Sequence, residues 1–217
     1  MIAAVIFDLD GVLIDSEQVW DEARRALVAE HGLPWPDDAT RAMMGMSSPE
    51  WSRYVRDALG VDLPAEAINA DIVRRLEAVY RAQLPLLPGA REAIVRVAAH
   101  FPLAIASSSN RELIDLVLEV GGLAPHFRAT ISSEEVARGK PAPDVYREAA
   151  RRLGVDPARC AAVEDSHAGI RSAHAAGMRV LAIPNPHFPP DAEALALADV
   201  VLEGLEGLTV AAVEGGG

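Results

Sequence analysis

The chain has 217 residues, enough for one α/β domain with a sizeable core plus a smaller second unit. Half of them are hydrophobic and 24% are charged, the composition of a soluble globular protein. Acidic residues outnumber basic ones 32 to 20, for a net charge of -12, and no basic stripe is present, so a nucleic-acid partner is excluded. No apolar run approaches the ~18 residues that would span a membrane. The pairs Arg24-Arg25, Arg74-Arg75 and Arg151-Arg152 sit among acidic residues and are expected on solvated helix faces. The single cysteine, Cys160, allows no intrachain disulfide and fits a reducing compartment. The first residues lack a basic segment and reach a carboxylate too soon for a signal peptide. A cytoplasmic monomer is expected.

Residues 2–7 form a short apolar run, suited to a strand buried on both faces of a parallel sheet. The run ends in Asp8-Leu9-Asp10-Gly11. On an extended chain Asp8 and Asp10 point the same way, and Gly11 lets the backbone turn or approach something bound. Two carboxylates this close are costly unless a cation neutralises them or one keeps its proton. A cation would leave Asp8 ionised as a nucleophile, and a protonated Asp10 would serve as a general acid. The alternative is an acidic turn facing water. The end of a buried strand favours a site.

Residues 16–83 read as helical throughout. A helix starts at Ser16, carries Val19, Ala23, Ala26 and Leu27 inward, and stops near His31-Gly32. Further helices are expected over 49–59 and 64–81. This all-helical block, inserted between a strand and an α/β pattern, reads as a separate cap, with crossings near 14–17 and 84–88. Asp15, just before it, is expected to cap a helix.

After Leu87-Pro88-Gly89 a helix runs to about His100. A strand over 103–106 ends in Ser107-Ser108-Ser109-Asn110, and Ser109 with Glu112 has the spacing of a capping box. The next helix ends at Gly121-Gly122, and a strand follows near 129–131. Pro143 opens a helix that ends at Gly154. A strand over 161–163 ends in Glu164-Asp165, and Ser166 caps a helix that stops at Gly177. Two last strands are expected over 179–183 and 199–202. The proline-rich segment 184–190, which includes His187, reads as loop, and the glycine tail 214–217 as disordered. Strands alternating with helices predict an α/β fold with a parallel sheet and right-handed crossovers.

In a parallel sheet three strand ends would share one edge: the Asp8/Asp10 pair, the hydroxyl cluster at Ser107, and Glu164-Asp165. Lys140 precedes a helix in Gly139-Lys140-Pro141-Ala142-Pro143-Asp144. The combination suits a phosphate group beside a hard cation. Mg²⁺ takes oxygen ligands and keeps substrate phosphate oxygens. Asp8, Asp165 and a carbonyl near Asp10 are its candidate ligands, with Glu164 nearby. Ser107 and the N–H groups after it favour an anion, and Lys140 sets a point charge against phosphoryl oxygens and Asp8.

These four stretches resemble, in order, the motifs of the haloacid dehalogenase (HAD) superfamily: DxDG at residues 8–11, a serine at Ser107, GKPxPD at 139–144 and VEDSxxGI at 163–170. The resemblance covers nearly the whole chain. It implies a Rossmann-like parallel-sheet core (1–15 and 84–217), a small α-helical cap (16–83), an obligate Mg²⁺ and an aspartyl-phosphate intermediate. By position, Asp8 attacks phosphorus. Asp10 protonates the leaving oxygen and then takes a proton from water. Asp8, Asp165, Asp10 through its carbonyl, and Glu164 hold Mg²⁺. Ser107 and Lys140 bind phosphate, with Ser108, Asn110 and Gly11 as weaker candidates.

The insert resembles the cap of the branch that holds β-phosphoglucomutase, phosphoglycolate phosphatase and sugar-phosphate phosphatases. In the mutases a histidine is expected five residues after the aspartate that Asp15 matches, and a cap arginine holds a second phosphate. Here Trp20 stands in the histidine's place, and the loop 43–48 has no arginine. Glu17, Trp20-Asp21 and Leu86-Leu87-Pro88-Gly89 look more like hexose-phosphate phosphatases acting on species such as 2-deoxyglucose 6-phosphate. Glu17, Trp20 and Met44 are the cap residues expected to read the substrate. Trp20 would stack on a sugar face or pack in the cap core. The expected activity is a phosphatase of small phosphorylated metabolites. Its alternatives are a mutase with Arg74 or Arg75 as the second anchor, and a phosphate-ligand sensor.

Overall fold

In a computed structural model, which describes residues 1–43, 46–186 and 188–215, the opening apolar run becomes β1 (Ala4–Phe7), buried along its whole length. It lies at the centre because the chain supplies a neighbour for each of its edges. β2 (Leu103–Ser107) pairs with one side and β4 (Cys160–Glu164) with the other, both parallel to it. β3 (Phe127–Ser132), β5 (Arg179–Ala182) and β6 (Val200–Val201) complete a parallel sheet in the order β3-β2-β1-β4-β5-β6. The α/β class and the parallel sheet expected from the alternating pattern are both present.

Residues of alternate parity face opposite helical layers. Val5, Phe7, Leu103, Ile105 and Val163 pack on one side. They meet α5 (Ala90–Ala98) and α6 (Arg111–Val120) through residues such as Ile94 and Ile114. Ala4, Ile6, Ala104 and Ala162 face the other side, against α7 (Asp144–Leu153) and α8 (His167–Ala175). Burial on both faces explains the near-continuous apolar character of the strands. Three shorter helices were not anticipated: α2 (Ala39–Met43), α9 (Ala192–Leu195) and α10 (Val210–Glu214). Each is five residues or fewer, too short to show a helical repeat.

Register sets the site. Phe7 pairs with Ile105 and with Val163, and the Asp8 N–H donates to the Val163 carbonyl at 3.0 Å. Asp8 therefore leaves the sheet beside Glu164 and near Ser107.

Between β1 and α5 the chain makes α1 (Glu17–Glu30), α2, α3 (Ser48–Asp57) and α4 (Ala65–Ala82). The crossings into and out of this insert run side by side. Asp15 N–H donates to the Pro85 carbonyl at 2.8 Å, and Leu87 N–H to the Leu13 carbonyl at 3.0 Å. Asp15 itself is exposed, and Ser16 occupies the N-cap of α1. Met44, His187, Gly216 and Gly217 lie outside the described residues.

Two glycines let the loops close on the strand ends. Gly11 has φ of +74°, and a Cβ there would lie 2.0 Å from Asp165 Oδ2. Gly169, in the first turns of α8, lies so near Glu164 that a Cβ would meet its carboxyl group at 1.9 Å. Glu164 is fully buried and cannot swing aside. Gly169→Ala is therefore expected to destabilise the protein by about 1–3 kcal/mol through overpacking. Urea unfolding would measure it, and a change within error would mean that Glu164 relaxes freely.

Candidate active site

The end of β1, the loop before α7 and the end of β4 bring Asp8, Lys140, Glu164 and Asp165 together. Lys140 Nζ lies 2.9 Å from Asp8 Oδ1 and 2.6 Å from Glu164 Oε1. One oxygen each of Asp8, Glu164 and Asp165 falls within 4.8 Å of the others. All four side chains are buried.

Glu164 is held from several directions. Its Oε1 also accepts from Tyr146 Oη at 2.7 Å, and its Oε2 accepts from Asp165 N at 3.2 Å and Ser166 Oγ at 3.3 Å. The Tyr146 ring lies 5.2 Å from Lys140 Nζ. Tyr146 was not anticipated as part of the site. The available signal was a phenol on the buried face of α7, where its O–H must find a partner. The geometry makes Glu164 an anchor that holds Lys140 against Asp8.

Electrostatics bear this out. Burial pushes the Asp8 carboxyl up to about 8, Glu164 adds to the rise, and Lys140 opposes it. Burial and then Glu164 also push Asp165 well above the usual carboxylate range. Burial alone would lower Lys140, but Asp8 and Glu164 hold it above its ordinary value.

Asp10 points away from this cluster towards the insert. Its Oδ1 accepts from Ser16 Oγ at 2.6 Å and from Trp20 Nε1 at 3.2 Å. Its Oδ2 accepts from Ser109 Oγ at 2.6 Å and, more weakly, from Ser107 Oγ at 3.4 Å. The capping box expected from Ser109 and Glu112 does not form. α6 begins at Arg111 with Asn110 at its N-cap, because the Ser109 hydroxyl is drawn to Asp10.

Ser107 is fully buried beneath the site and accepts from Ser109 N–H at 2.9 Å. Ser108 lines the cleft. Asn110 sits at the seam between insert and core. Its Nδ2 donates to Glu134 Oε1 at 2.8 Å and to Asn69 Oδ1 of α4 at 3.2 Å, and it does not line the cleft. Gly11 contributes space for Asp165.

A cleft opens above these groups, with about 600 Å³ of empty space when the solvent at its mouth is counted. Asp8, Asp10, Lys140 and Asp165 form its floor, and Glu17, Trp20, Arg24 and Trp51 its roof. Trp20 packs within the insert, edge-on against Trp51 with ring centroids 5.7 Å apart, and also lines the cleft. Burial, then Asp10, pushes the Glu17 carboxyl up to about 7.

Arg24 corrects the sequence reading. It was expected on a solvated helix face and is only 8% exposed, with its guanidinium over both indoles. Burial lowers it to about 10, against the pull of Glu17 and Asp21, so it stays a cation at neutral pH. Arg74 and Arg75 do lie at the surface. Arg74 pairs with Asp71, and Arg75 pairs with Glu30 and Asp71.

The donor set fits a hard divalent cation. Three buried carboxyl groups face one ammonium, so full ionisation of all three calls for further positive charge, and the candidate ligand atoms are all oxygens. Asp8 and Asp165 have oxygen capacity to spare. Glu164 is already saturated by hydrogen bonds and is better placed to act through water.

The comparisons with known proteins agree with this geometry. A family model described as a haloacid dehalogenase-like hydrolase matches residues 2–177. Hexitol phosphatase B of Escherichia coli (strain K12) is 36% identical over 214 residues, covering 96% of this chain and 95% of that protein. Protein CbbY of Rhodobacter capsulatus is 36% identical over 200 residues, covering 87% and 88%. Among solved structures, CbbY from Rhodobacter sphaeroides in complex with phosphate superposes with a TM-score of 0.87 at 29% identity, over 99% of this chain and 100% of that one. With the family's motifs gathered on one sheet edge and its model matched across most of the length, this chain belongs to the haloacid dehalogenase-like hydrolases.

Proposed function

We propose that the protein is a Mg²⁺-dependent phosphatase of small phosphorylated sugars or sugar alcohols, working through a phosphoaspartate on Asp8. The observation that carries this reading is the ion-paired Asp8–Lys140–Glu164 chain beside Asp165 on the floor of a roofed cleft. The similarity to a hexitol phosphatase supports the substrate class.

In this reading an Asp8 carboxylate oxygen attacks phosphorus in line with the ester oxygen. The phosphorus–ester bond breaks and Asp10 supplies the proton that the leaving alkoxide needs. Asp10 then takes a proton from a water that attacks the phosphoaspartate, releasing inorganic phosphate and restoring Asp8. Lys140 offsets charge on the phosphoryl oxygens, and Glu164 holds Lys140 in place. The turn that follows Ser107, where Ser108 and Ser109 line the cleft, takes the phosphoryl group, and Ser107 supports that turn from below. Mg²⁺, held by Asp8, Asp165 and the Asp10 carbonyl, with Glu164 through water, would supply further charge neutralisation at the phosphoryl oxygens. The insert 16–83 acts as a cap, excluding bulk water and bringing Glu17 and Trp20 to the substrate.

A mutase is less favoured. Trp20 replaces the histidine expected in mutases, and Arg74 and Arg75 are committed to carboxylates at the surface.

Phosphorus NMR with Mg²⁺ and a panel of hexitol and hexose phosphates tests the reading. Growth of free phosphate is expected. Exchange of phosphate between sugar positions without release would replace phosphatase by mutase. Asp8→Asn should lower kcat by roughly 1,000-fold or more and remove the phosphoryl adduct that mass spectrometry of an acid quench detects on the wild type. Turnover near wild type would reassign the nucleophile.

The raised Asp8 carboxyl also makes stability pH-dependent. An acid whose folded pKa is raised favours the fold while protonated, so its contribution is lost as pH rises from the ordinary 3.8 towards about 8. Without metal the Tm should fall across that window. A bound cation removes the penalty, so the Tm gain from Mg²⁺ should be larger at about pH 8 than at about pH 5. Thermal unfolding in EDTA and in Mg²⁺ measures both, and a pH-independent gain would place the ion elsewhere.

A further inference from the structure

Arg24 is a cation without an anion. It is 8% exposed, yet it forms no ion pair or hydrogen bond with any described residue, and its Nε is sealed from solvent and unpartnered. Helical spacing offers it Asp21, three residues earlier. That carboxylate is turned away to Arg25 and Thr40 instead. Glu17 lies on the same cleft wall, and no ion pair joins it to Arg24. What holds Arg24 is aromatic: its guanidinium carbon lies 4.7 Å from the Trp20 ring centre and 4.9 Å from that of Trp51. These indoles offset part of the burial cost and fix the plane of the fork. They supply no hydrogen-bond acceptor.

The residue lines the cleft, and Nε is its only nitrogen that is both sealed off and unpartnered. The terminal N–H groups are therefore the part that meets the open space. Lys140, the other cation among the described residues that line the cleft, is engaged with Asp8 and Glu164. Arg24 lies on the roof, against the Trp20 ring whose indole N–H donates to Asp10.

We propose that Arg24 anchors a second anionic group of the substrate, a carboxylate or a phosphate, remote from the phosphoryl group that Asp8 attacks. This rests on the reading of the cleft as a phosphate-ester site and narrows it to phosphorylated sugar acids or sugar bisphosphates. A bidentate, charge-assisted contact matches the fork to such a group. An unpaired buried charge is costly, so the bound anion also completes the cap's interior.

Calorimetry on the Asp8→Asn protein with Mg²⁺ reads binding without turnover. Three ligands of one carbon skeleton serve as probes: sorbitol 6-phosphate, 6-phosphogluconate and sorbitol 1,6-bisphosphate. At least one doubly anionic ligand should bind at least about tenfold more tightly than sorbitol 6-phosphate, and which one does so separates carboxylate from phosphate. Adding Arg24→Met, which keeps an apolar stem against the indoles, should abolish that preference. Adding Arg24→Lys, which keeps the charge without the planar fork, should retain part of it, and it serves as the test if Arg24→Met does not fold. Equal affinities in the Asp8→Asn protein, or equal weakening of all three ligands by either Arg24 substitution, would overturn the proposal. Wild-type turnover is scored separately. Its absence would sink the phosphatase reading, while the affinity ratios would still decide the role of Arg24.

Discussion

Three buried carboxylates gathered around one lysine are the constraint on which the rest of this molecule depends. Asp8, Glu164 and Asp165 come from the ends of two neighbouring strands, and water does not reach them freely. Lys140 relieves part of the repulsion by bridging Asp8 and Glu164. The remainder persists as a raised Asp8 carboxyl, and as an oxygen-rich cluster of a kind that suits a hard cation. The same uncompensated charge thus weakens the empty fold and equips the site for phosphoryl chemistry.

That cluster is held by unusually small spaces. Gly11 makes room for Asp165, and Gly169 makes room for Glu164. Tyr146 and the backbone after β4 occupy the acceptors of Glu164, so its position is over-determined. Fixing Glu164 fixes Lys140, and Lys140 fixes the oxygen of Asp8 that it touches. The electrostatic preorganisation sits in the core, while the groups that would read the substrate sit on the insert.

The insert meets the chemistry through Trp20. Its indole N–H reaches Asp10, its ring packs on Trp51, and both rings carry Arg24. One helix, α1, thereby touches the proposed acid/base residue with one side chain and presents an unpaired cation with another. Asn110 and Asn69 join insert and core at a second point, across α4 and α6. The proposed substrate recognition and the hydrogen bonding of Asp10 fall on the same few residues, so a ligand that settles Arg24 would also bear on Asp10.

The sheet, its parallel sense and the helical insert were legible because they rest on local pattern. Short apolar runs alternate with helical repeats, and the runs that lead to Asp8, Ser107 and Glu164 end in polar residues. Asp8, Lys140, Glu164 and Asp165 stood out because carboxylates and a lysine at the ends of buried segments are costly unless they do something. Only the tertiary structure decided which of them touch. It showed Glu164 saturated by Tyr146 and Lys140, Ser109 drawn to Asp10 rather than to its own helix, and Asn110 turned to the seam. Arg24 is the clearest case. In the sequence it is one of two adjacent arginines among acidic residues, indistinguishable from Arg25. Its burial depends on Trp51, which lies on another helix, and on Asp21 choosing Arg25 and Thr40 instead. Local spacing determines secondary structure and strand ends, because those energies are local. The pairing state of a charge is set by partners distant in the chain, and packing alone brings them within reach.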